Sequence, residues 1–554
     1  MSGWSRADQA AKLSQVNASD SQRQQAREAG VARTTLQYWQ QRQTELEAPA
    51  ATVAFFESPE GVEMLHRLVI AAQLVITLLG CGGVRLVCQF LELSGLSAFV
   101  ASSYGAQQRF NVTLEQAVVD YAEHQREHLG QQMEPRSIAL CEDETFHPAI
   151  CLVGIEPLSN FIVLERYAPE RSAASWTEAL QSALGELPVE VIEVTSDAAK
   201  GLCRHVKTDL GAHSSPDLFH VQHEVAKAMS LNLARQVKQA EQALAAATDE
   251  RERAHRTEAA YRAQCPRPLG RPPAFEQRIE HARTEQIVAE LNLENAQTRQ
   301  RQARALLHEL SDAYHPYALN SGQAQSSDVV AQRLQACWKK LTDIARQAAL
   351  PERSFQQLRK AQRMTDALVA TISFFFMTIT AKVQALNLAP EIETAVYDSL
   401  IPALYLDQVA AKTTDREQRQ ALRAQAADLL APLNAPSSVV ALLMPPEHHT
   451  IEQLAQECAG LFQRASSCVE GRNGQLALHH HSRHRLSDRK LAALTAVHNY
   501  QSQRPDGTTA AERFFGQRPD KLFDWLLEKL VLPGRPAQKR PRPPKPHYLQ
   551  PMAA

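Results

Sequence analysis

A long helical stretch divides a region of alternating strands and helices in this chain of 554 residues. Residues 137–223 carry apolar, strand-like segments that alternate with helical ones, which is the order of an α/β domain. Residues 224–455 are almost wholly helical in pattern and rich in Ala, Gln, Glu and Arg, and a mixed pattern returns at 456–532. An insertion can leave and re-enter a domain at one edge, so we predict an α/β core interrupted by a large all-α insertion.

The core is expected to contain a mixed five-stranded sheet with helices. A first strand spans 137–146, and ICLVGIEPLSNFIVLERYA supplies two more strands around a turn at 156–160. Arg171–Leu184 follows as a helix, and VEVIEV at 189–194 is a fourth, buried strand. We place a short fifth strand at Pro216–His220.

The insertion opens with two long polar helices, at about 224–264 and 274–312, separated by a proline-rich segment at 266–273. Proline at that density ends a helix, so the pair should form an antiparallel hairpin. Such an arm can hold a second subunit or a DNA end. The alternative is a solvated coiled coil without chemistry.

Residues 1–45 have the pattern of a helix-turn-helix. A tight turn at 29–31 separates a helix that ends at Glu28 from a second helix at Arg33–Gln43. Four polar side chains of the second helix point outward, as reading DNA in the major groove requires: Arg33, Thr34, Thr35 and Gln37. The alternative is an amphipathic helical hairpin without a DNA contact. Residues 46–136 are expected to be mainly helical.

Basic residues are clustered locally, since the formal net charge of the whole chain is only −2. Several cations between 472 and 490 could contact a DNA backbone: Arg472, Arg483, Arg485, Arg489 and Lys490. This segment could equally be a solvated loop and helix start, with a turn at 471–474. The tail, 533–554, is proline-rich and holds five basic residues and no acidic one, which predicts an extended or disordered segment.

Cysteine usage and hydropathy favour a cytoplasmic protein. The nine cysteines form no CxxC pair, which favours reduced thiols, and the N-terminus has no apolar stretch suited to a signal peptide. Apolar runs at Leu68–Gly83 and Ala367–Ala381 are shorter than the roughly 18–20 residues of a membrane span, so we expect buried core helices and no membrane partner. The chain has no GxxxxGK[ST] phosphate loop, which argues against an ATP-driven mechanism.

Two aspartates stand at the ends of predicted strands. Asp143 lies after an apolar stretch in the first strand, and Asp197 closes the fourth. Where these strands are neighbours, the two carboxylates and a third acid could hold two divalent cations about 3.5–4 Å apart. Oxygen ligands suit Mg²⁺, whereas histidine and cysteine favour softer metals. Strand alternation puts Glu142 and Glu144 on the opposite face from Asp143, although either could exchange roles with it.

The order of these segments resembles the DDE transposase and integrase superfamily, which implies an RNase H-like core. SIALCEDETFHPAICLVGIEP is similar to that family's first catalytic strand and hairpin, and VIEVTSDAAKG to the strand with the second aspartate. SSCVEGRNGQLAL resembles the segment with the third acid, which is then Glu470. VHNYQSQRPDGTTAAERFFGQRP is similar to the closing stretch of many insertion-sequence transposases, with Ala510 where proline is usual.

The spacing of the three acids departs from that of compact integrases. Asp143 and Asp197 are 54 residues apart, a usual interval, but 273 residues separate Asp197 from Glu470. Transposases with a large insertion at this point are known as a class, and 224–455 fits that role. Two other acids, Glu457 and Glu512, are alternatives to Glu470.

The resemblance implies a transposase that binds double-stranded DNA at the ends of its own mobile element. It would cleave there with metal-activated water and join the freed 3′-hydroxyl to target DNA, with two Mg²⁺ ions for which Mn²⁺ can substitute. Paired ends imply a homodimer or larger homo-oligomer in the cytoplasm, on the nucleoid. The alternatives are a non-catalytic, domesticated DNA-binding protein and a nuclease of the same fold.

Overall fold

A mixed five-stranded sheet forms the centre of the structure, a computed structural model that describes residues 6–44, 48–146, 149–197, 199–264, 266, 270–480 and 485–534. The strands are β1 (Arg136–Phe146), β2 (Ile150–Glu156), β3 (Phe161–Ala168), β4 (Val189–Ser196) and β5 (His213–Pro216). Their order is β3-β2-β1-β4-β5, in which β2 is antiparallel to β1 and β3, and β4 is parallel to β1 and β5. The predicted mixed sheet is therefore confirmed.

The fifth strand lies earlier in the chain than predicted. It ends at Pro216, and a helix begins at Leu218, inside the segment predicted to be a strand. The Asp217 carboxylate accepts a hydrogen bond of 2.7 Å from the backbone N–H of Phe219. A carboxylate that caps an N–H of the first turn favours a helix, so the apolar residues after Asp217 are helical despite their strand-like pattern.

Three helices form the N-terminal unit: α1 (Arg6–Ser14), α2 (Gln22–Glu28) and α3 (Arg33–Thr44). Gly30, between α2 and α3, has φ +62°, a left-handed conformation that favours glycine. Four apolar side chains form the small core of this N-terminal unit: Ala26, Ala29, Leu36 and Trp39. The predicted helix pair is confirmed. Its outward residues Arg33, Thr34 and Gln37 are exposed and Thr35 is half-buried, and their contact with DNA stays a prediction.

The next helices pack on the same hydrophobic core as the sheet. They are α4 (Ala50–Phe56), α5 (Pro59–Leu74), α6 (Val84–Leu93) and α7 (Tyr104–Gly130). A π-helical turn at Val75–Leu79 extends α5. Within the sheet domain, α8 (Ala173–Leu184) connects β3 to β4, and α9 (Lys200–Arg204) precedes β5.

The helical insertion has a separate hydrophobic core. Its helices are α10 (Leu218–Gln264), α11 (Phe275–Ala313), α12 (Ser327–Gln347), α13 (Glu352–Gln362), α14 (Thr365–Gln384), α15 (Pro390–Ala395), α16 (Ile401–Lys412), α17 (Arg416–Leu430) and α18 (Pro445–Leu461). The predicted hairpin of α10 and α11 is confirmed by contacts at both ends. Gln222 bonds to the Leu307 carbonyl near the base, and the rings of Tyr261 and Phe275 meet near the tip. Residues 265 and 267–269 of the predicted tip lie outside the described residues.

In the described part of the chain after the insertion there are four helices: α19 (Ser467–His480), α20 (Asp488–Tyr500), α21 (Ala510–Phe515) and α22 (Leu522–Lys529). The turn predicted at 471–474 is wrong, because α19 runs through it without a break. Two glycines weaken a helix by about 1 kcal/mol each. The buried side chain of Arg472, between Gly471 and Gly474, holds this part of α19 in place through a contact described below.

Two helical stretches, Pro59–Leu79 and Glu352–Gln384, are long and apolar enough to cross a membrane by length and composition alone. Both contribute fully buried side chains to the protein interior, such as Leu65 in the first and Ile372 in the second. Core helices of soluble proteins pass the same test, so the two stretches are weak evidence for a membrane and compatible with the expected core helices.

Candidate active site

Strand register places three aspartates in one row. Glu142 of β1 pairs with Ser196 of β4, so the next residues, Asp143 and Asp197, are opposite each other. Ser196 in turn pairs with Pro216 of β5, so Asp217 continues the row. Neighbouring strands lie about 4.8 Å apart, and residues paired in register point to the same face. The two predicted aspartates are therefore brought together, with a third that the sequence analysis missed.

The row faces α19. The Cys141 thiol, on the same face of β1 as Asp143, lies 3.9 Å from the carbonyl oxygen of Ala465, and the Cys468 thiol of α19 is close enough to raise its pKa. On the other face of β1, Glu142 lies 3.7 Å from His205, and Glu144 lies 3.2 Å from the Arg171 guanidinium. The predicted alternation of Asp143 with its flanking glutamates is confirmed.

Asp143 is half-buried, and its surroundings favour the protonated carboxyl. The pKa of Asp143 is raised to about 6, mainly by burial and also by the neighbouring carboxylates of Asp197 and Asp217, against the N–H of Glu144 and the His220 ring, which lower it. Like charges that crowd one site are relieved by a bound cation.

Asp143 and Asp197 keep free oxygen atoms for such a cation. Oδ1 of Asp143 accepts a hydrogen bond from the N–H of Glu144 (2.7 Å), and Oδ1 of Asp197 accepts one from Ala199 (3.0 Å). Oδ2 of each receives no hydrogen bond from any described residue. Mg²⁺ is commonly bound through one or two carboxylates and retains several waters, so these residues fit it.

Asp217 has a different role, because both of its oxygens are used within the protein. It is buried, and Oδ2 accepts hydrogen bonds from the backbone N–H (3.1 Å) and hydroxyl (2.6 Å) of Ser466, just before α19. The N–H of Leu218 also donates to the carbonyl of Arg464 at 2.9 Å. The end of β5 is thus tied to the start of α19. A correct position for the fifth strand would have revealed Asp217, because it follows β5 as Asp197 follows β4.

A buried ion pair holds α19 to β3, the strand at the opposite edge of the sheet from β5. Glu165 of β3 pairs with Val153 of β2, and Val153 pairs with Asp143, so Glu165 belongs to the same row. Its two oxygens accept hydrogen bonds of 2.8 and 2.6 Å from Nε and Nη2 of Arg472. Arg472 was predicted to contact DNA. That prediction is wrong, because its guanidinium is buried and engaged by Glu165.

Glu470 lies on α19 between these two attachments. The helix packs against β1 and β2, and Glu470 is on its exposed side. Among the described residues, no three His, Cys, Asp or Glu side chains are grouped closely enough to hold a metal ion. The structure thus brings Asp143 and Asp197 together without a third ligand in place, and the role of Glu470 stays a prediction.

The two alternative third acids lie elsewhere. Glu457 of α18 is in the insertion and forms an ion pair of 3.7 Å with Lys382. Glu512 belongs to α21, which packs against β3, the edge strand opposite to β5. Neither helix packs against β1, as α19 does.

The remaining predicted DNA contacts are divided between buried and accessible residues. Lys490 is buried, with its ammonium 2.6 Å from the carbonyl of Thr77 and 3.3 Å from Glu115, so the prediction that it binds DNA is wrong. Arg489 also pairs with Glu115, at 3.2 Å, but keeps about a third of its side chain exposed (34%). Arg485 is exposed, over the ring of Tyr167. Arg483 lies outside the described residues.

Comparison with protein families gives one match. Residues 396–542 match a family of unknown function, DUF6399. The matched part runs from the end of the insertion to beyond α22 and contains Glu470, but neither Asp143 nor Asp197. No curated protein matches the chain.

Proposed function

We propose that this protein is a DNA transposase with an RNase H-like core, in which Asp143, Asp197 and Glu470 form the catalytic triad. The observation that carries the proposal is the register of β1 and β4, which aligns Asp143 with Asp197 at the edge where α19 crosses. Two aspartates on adjacent parallel strands, with a glutamate on a helix over the same face, are what the resemblance to DDE transposases implies.

Asp143 and Asp197 would hold divalent metal, and Mg²⁺ is the ion that their carboxylates suit best, with Mn²⁺ as a substitute. When bound, such ions would supply the activation of water or a 3′-hydroxyl and the stabilisation of the leaving oxygen. The protein's own contribution would be to fix the two aspartates through the sheet and to hold α19, the helix that carries Glu470, across the same face. Asp217 and Glu165 position α19 from its two sides.

The N-terminal helices would recognise the element's ends, because four side chains of α3 are available to base edges: Arg33, Thr34, Thr35 and Gln37. Arg485 and Arg489 remain accessible for the DNA backbone. The proposed partners are double-stranded DNA and a second copy of the chain, and the proposed location is the cytoplasm, on the nucleoid.

A test of the proposal compares isosteric variants of the acids. Asp143→Asn, Asp197→Asn and Glu470→Gln each remove a ligand charge but little volume. Each should abolish cleavage and strand transfer and leave DNA affinity within about twofold, because phosphate contacts elsewhere supply that affinity. Glu512→Gln, on the far side of the sheet, is the matched control and should cut normally. If Glu470→Gln retains full cutting, the third ligand is misassigned.

Two other functions fit parts of the chain. A domesticated DNA-binding protein would bind DNA but fail to cut it with any divalent metal. A nuclease of the same fold would cut without joining the product to target DNA. Inverted terminal repeats in the DNA that flanks the gene, cut by the wild-type protein, favour the transposase over both.

A further inference from the structure

A cavity of about 320 Å³ lies at the junction of the sheet domain and the insertion. Its walls come from the first turn of α10, the last turns of α16 and the segment before α19. The side chains that define its chemistry are Phe219, Gln222, Gln408, Lys412 and Arg464. The volume is at the low end of the range of about 300–1,000 Å³ for small-ligand sites, which suits one phosphate group with its sugar.

The cavity is lined by cations and no acid. Lys412 and Arg464 are its charged residues, and no Asp or Glu is part of its wall. The Lys412 ammonium is exposed and has no described carboxylate within ion-pair distance. Arg464 donates from Nη2 to the Ser311 carbonyl at 2.9 Å, whereas its buried Nε–H finds no partner among the described residues. The exposed ammonium of Lys412, beside the buried positive charge of Arg464, would suit an anion.

This cationic cavity is next to the acidic row. Leu218 and Ser467 line it, and each directly follows one member of the hydrogen-bonded pair Asp217 and Ser466. Lys412 is also close enough to the thiols of Cys141 and Cys468 to act on both electrostatically. Those cysteines are two residues before Asp143 and Glu470. An anion in the cavity would therefore lie beside the carboxylates and not among them.

We propose that this cavity binds one phosphodiester group of the DNA strand adjacent to the group that is cut. The inference rests on the proposed function and adds a residue pair to it: Lys412 and Arg464 bind the phosphate oxygens, and the half-exposed ring of Phe219 (46% exposed) lies against the attached sugar or base. A free mononucleotide offers the same chemistry, and the experiment distinguishes the two sources.

The test measures how salt weakens DNA binding. Fluorescence anisotropy with a labelled duplex from the DNA that flanks the gene gives affinity at several NaCl concentrations. Each phosphate contact adds about 0.9 to the slope of log affinity against log salt. Lys412→Gln should lower that slope by about 0.9, and Lys412→Arg should restore it. Lys339→Gln, an exposed lysine of α12, is the matched control and should leave the slope unchanged.

Two results would overturn the inference. An unchanged slope with a lower melting temperature means that Lys412 only neutralises the carbonyls at the end of α16. Calorimetric binding of thymidine 5′-monophosphate that requires Lys412, with an unchanged DNA slope, assigns the cavity to a free nucleotide instead. The proposed function can fail separately from this inference. If the slope falls in Lys412→Gln but the wild-type protein cuts no DNA, the cavity contact is supported and the transposase proposal is wrong.

Discussion

Glu165 and Arg472 form a buried, two-pronged ion pair with hydrogen bonds of 2.8 and 2.6 Å, between residues 307 positions apart in the chain. Thr495 donates a further hydrogen bond to the same carboxylate. The pair holds α19 over β3, and Asp217 holds the residue before α19 beside β5. Glu470 is between the two attachments. The position of the expected third acid thus depends on two carboxylates whose oxygens accept hydrogen bonds within the protein.

Arg472→Ala should destabilise the protein strongly, because it leaves the buried charge of Glu165 uncompensated. The free energy of unfolding should fall by about 3–5 kcal/mol, as measured by chemical denaturation. The paired change Glu165→Leu with Arg472→Met should recover most of the loss, since apolar residues of similar size often replace buried ion pairs. Arg485→Ala, on an exposed arginine, is the control, with an effect below about 0.5 kcal/mol. Equal losses for Arg485 and Arg472 would contradict the assignment.

The raised pKa of Asp143 predicts how the metal-free protein responds to pH. A carboxyl whose pKa rises from 3.8 to about 6 on folding stabilises the protein only while it is protonated. That contribution is complete below about pH 4 and is lost as pH rises through about 6. Asp143→Asn should therefore be more stable than the wild-type protein near pH 8, by up to about 2 kcal/mol after allowance for solvent screening, and no more stable near pH 4.

Near pH 8, magnesium should make the wild-type protein more stable than Asp143→Asn, the reverse of the order expected without metal. Deprotonated Asp143 can bind the cation, so Mg²⁺ should raise the melting temperature of the wild-type protein at about pH 8 and much less at about pH 5, where protons compete. Asp143→Asn should not respond at either pH. Glu512→Gln is the control and should respond as the wild-type protein does. A magnesium response that is independent of pH would place the ion elsewhere.

Sequence patterns predicted the parts of this fold that depend on local order. Apolar, strand-like segments that end in an acidic residue predicted that Asp143 and Asp197 lie at strand ends. A proline-rich segment between two long helical stretches predicted the hairpin of α10 and α11. The errors have a common cause. Arg472 and Lys490 look like surface cations, but they are buried because Glu165 and Glu115 receive them, and these partners are more than 300 residues away. No local pattern reports such a partner. Asp217 was missed because a hydropathy pattern does not reveal where β5 ends and α10 begins. The hydrogen bond from the Phe219 N–H to the Asp217 carboxylate marks that boundary.

The exposed residues of α3 predict a loss of sequence discrimination when they are removed. Arg33→Ala or Gln37→Ala should weaken binding to the element's ends by about 1–3 kcal/mol if the side chain reads a base edge. Binding to a scrambled duplex should hardly change, because base contacts specify and phosphate contacts position. Arg23→Ala, on an exposed residue of α2, is the control. Gel shifts on both duplexes measure the difference, and equal losses on the two would make α3 a structural helix only. Deletion of residues 1–45 should show the same effect more strongly.

The arm formed by α10 and α11 extends well beyond the hydrophobic core of the insertion. Only residues up to Leu233 of α10 and from Ala303 of α11 belong to that core, although the helices continue to Gln264 and back from Phe275. About 30 residues at 1.5 Å each project roughly 45 Å. Along this length, the buried residues of α11 are alanines at seven-residue intervals, Ala282, Ala289 and Ala296, which pair the two helices closely without adding to the core.

Shortening both helices by the same heptads, with the segment between them kept, should therefore leave the core folded. Circular dichroism melting should give a temperature close to that of the full chain. Assembly on paired DNA ends should fail, because an arm of this length is unnecessary for core packing and suits contact with a second subunit or DNA end. Light scattering with and without end DNA measures that assembly.

Replacing exposed arm residues such as Ile287 and Leu291 by Gln, without shortening, is a milder variant that keeps the hairpin intact. If the shortened protein still pairs ends and transposes normally, the arm is a solvated spacer.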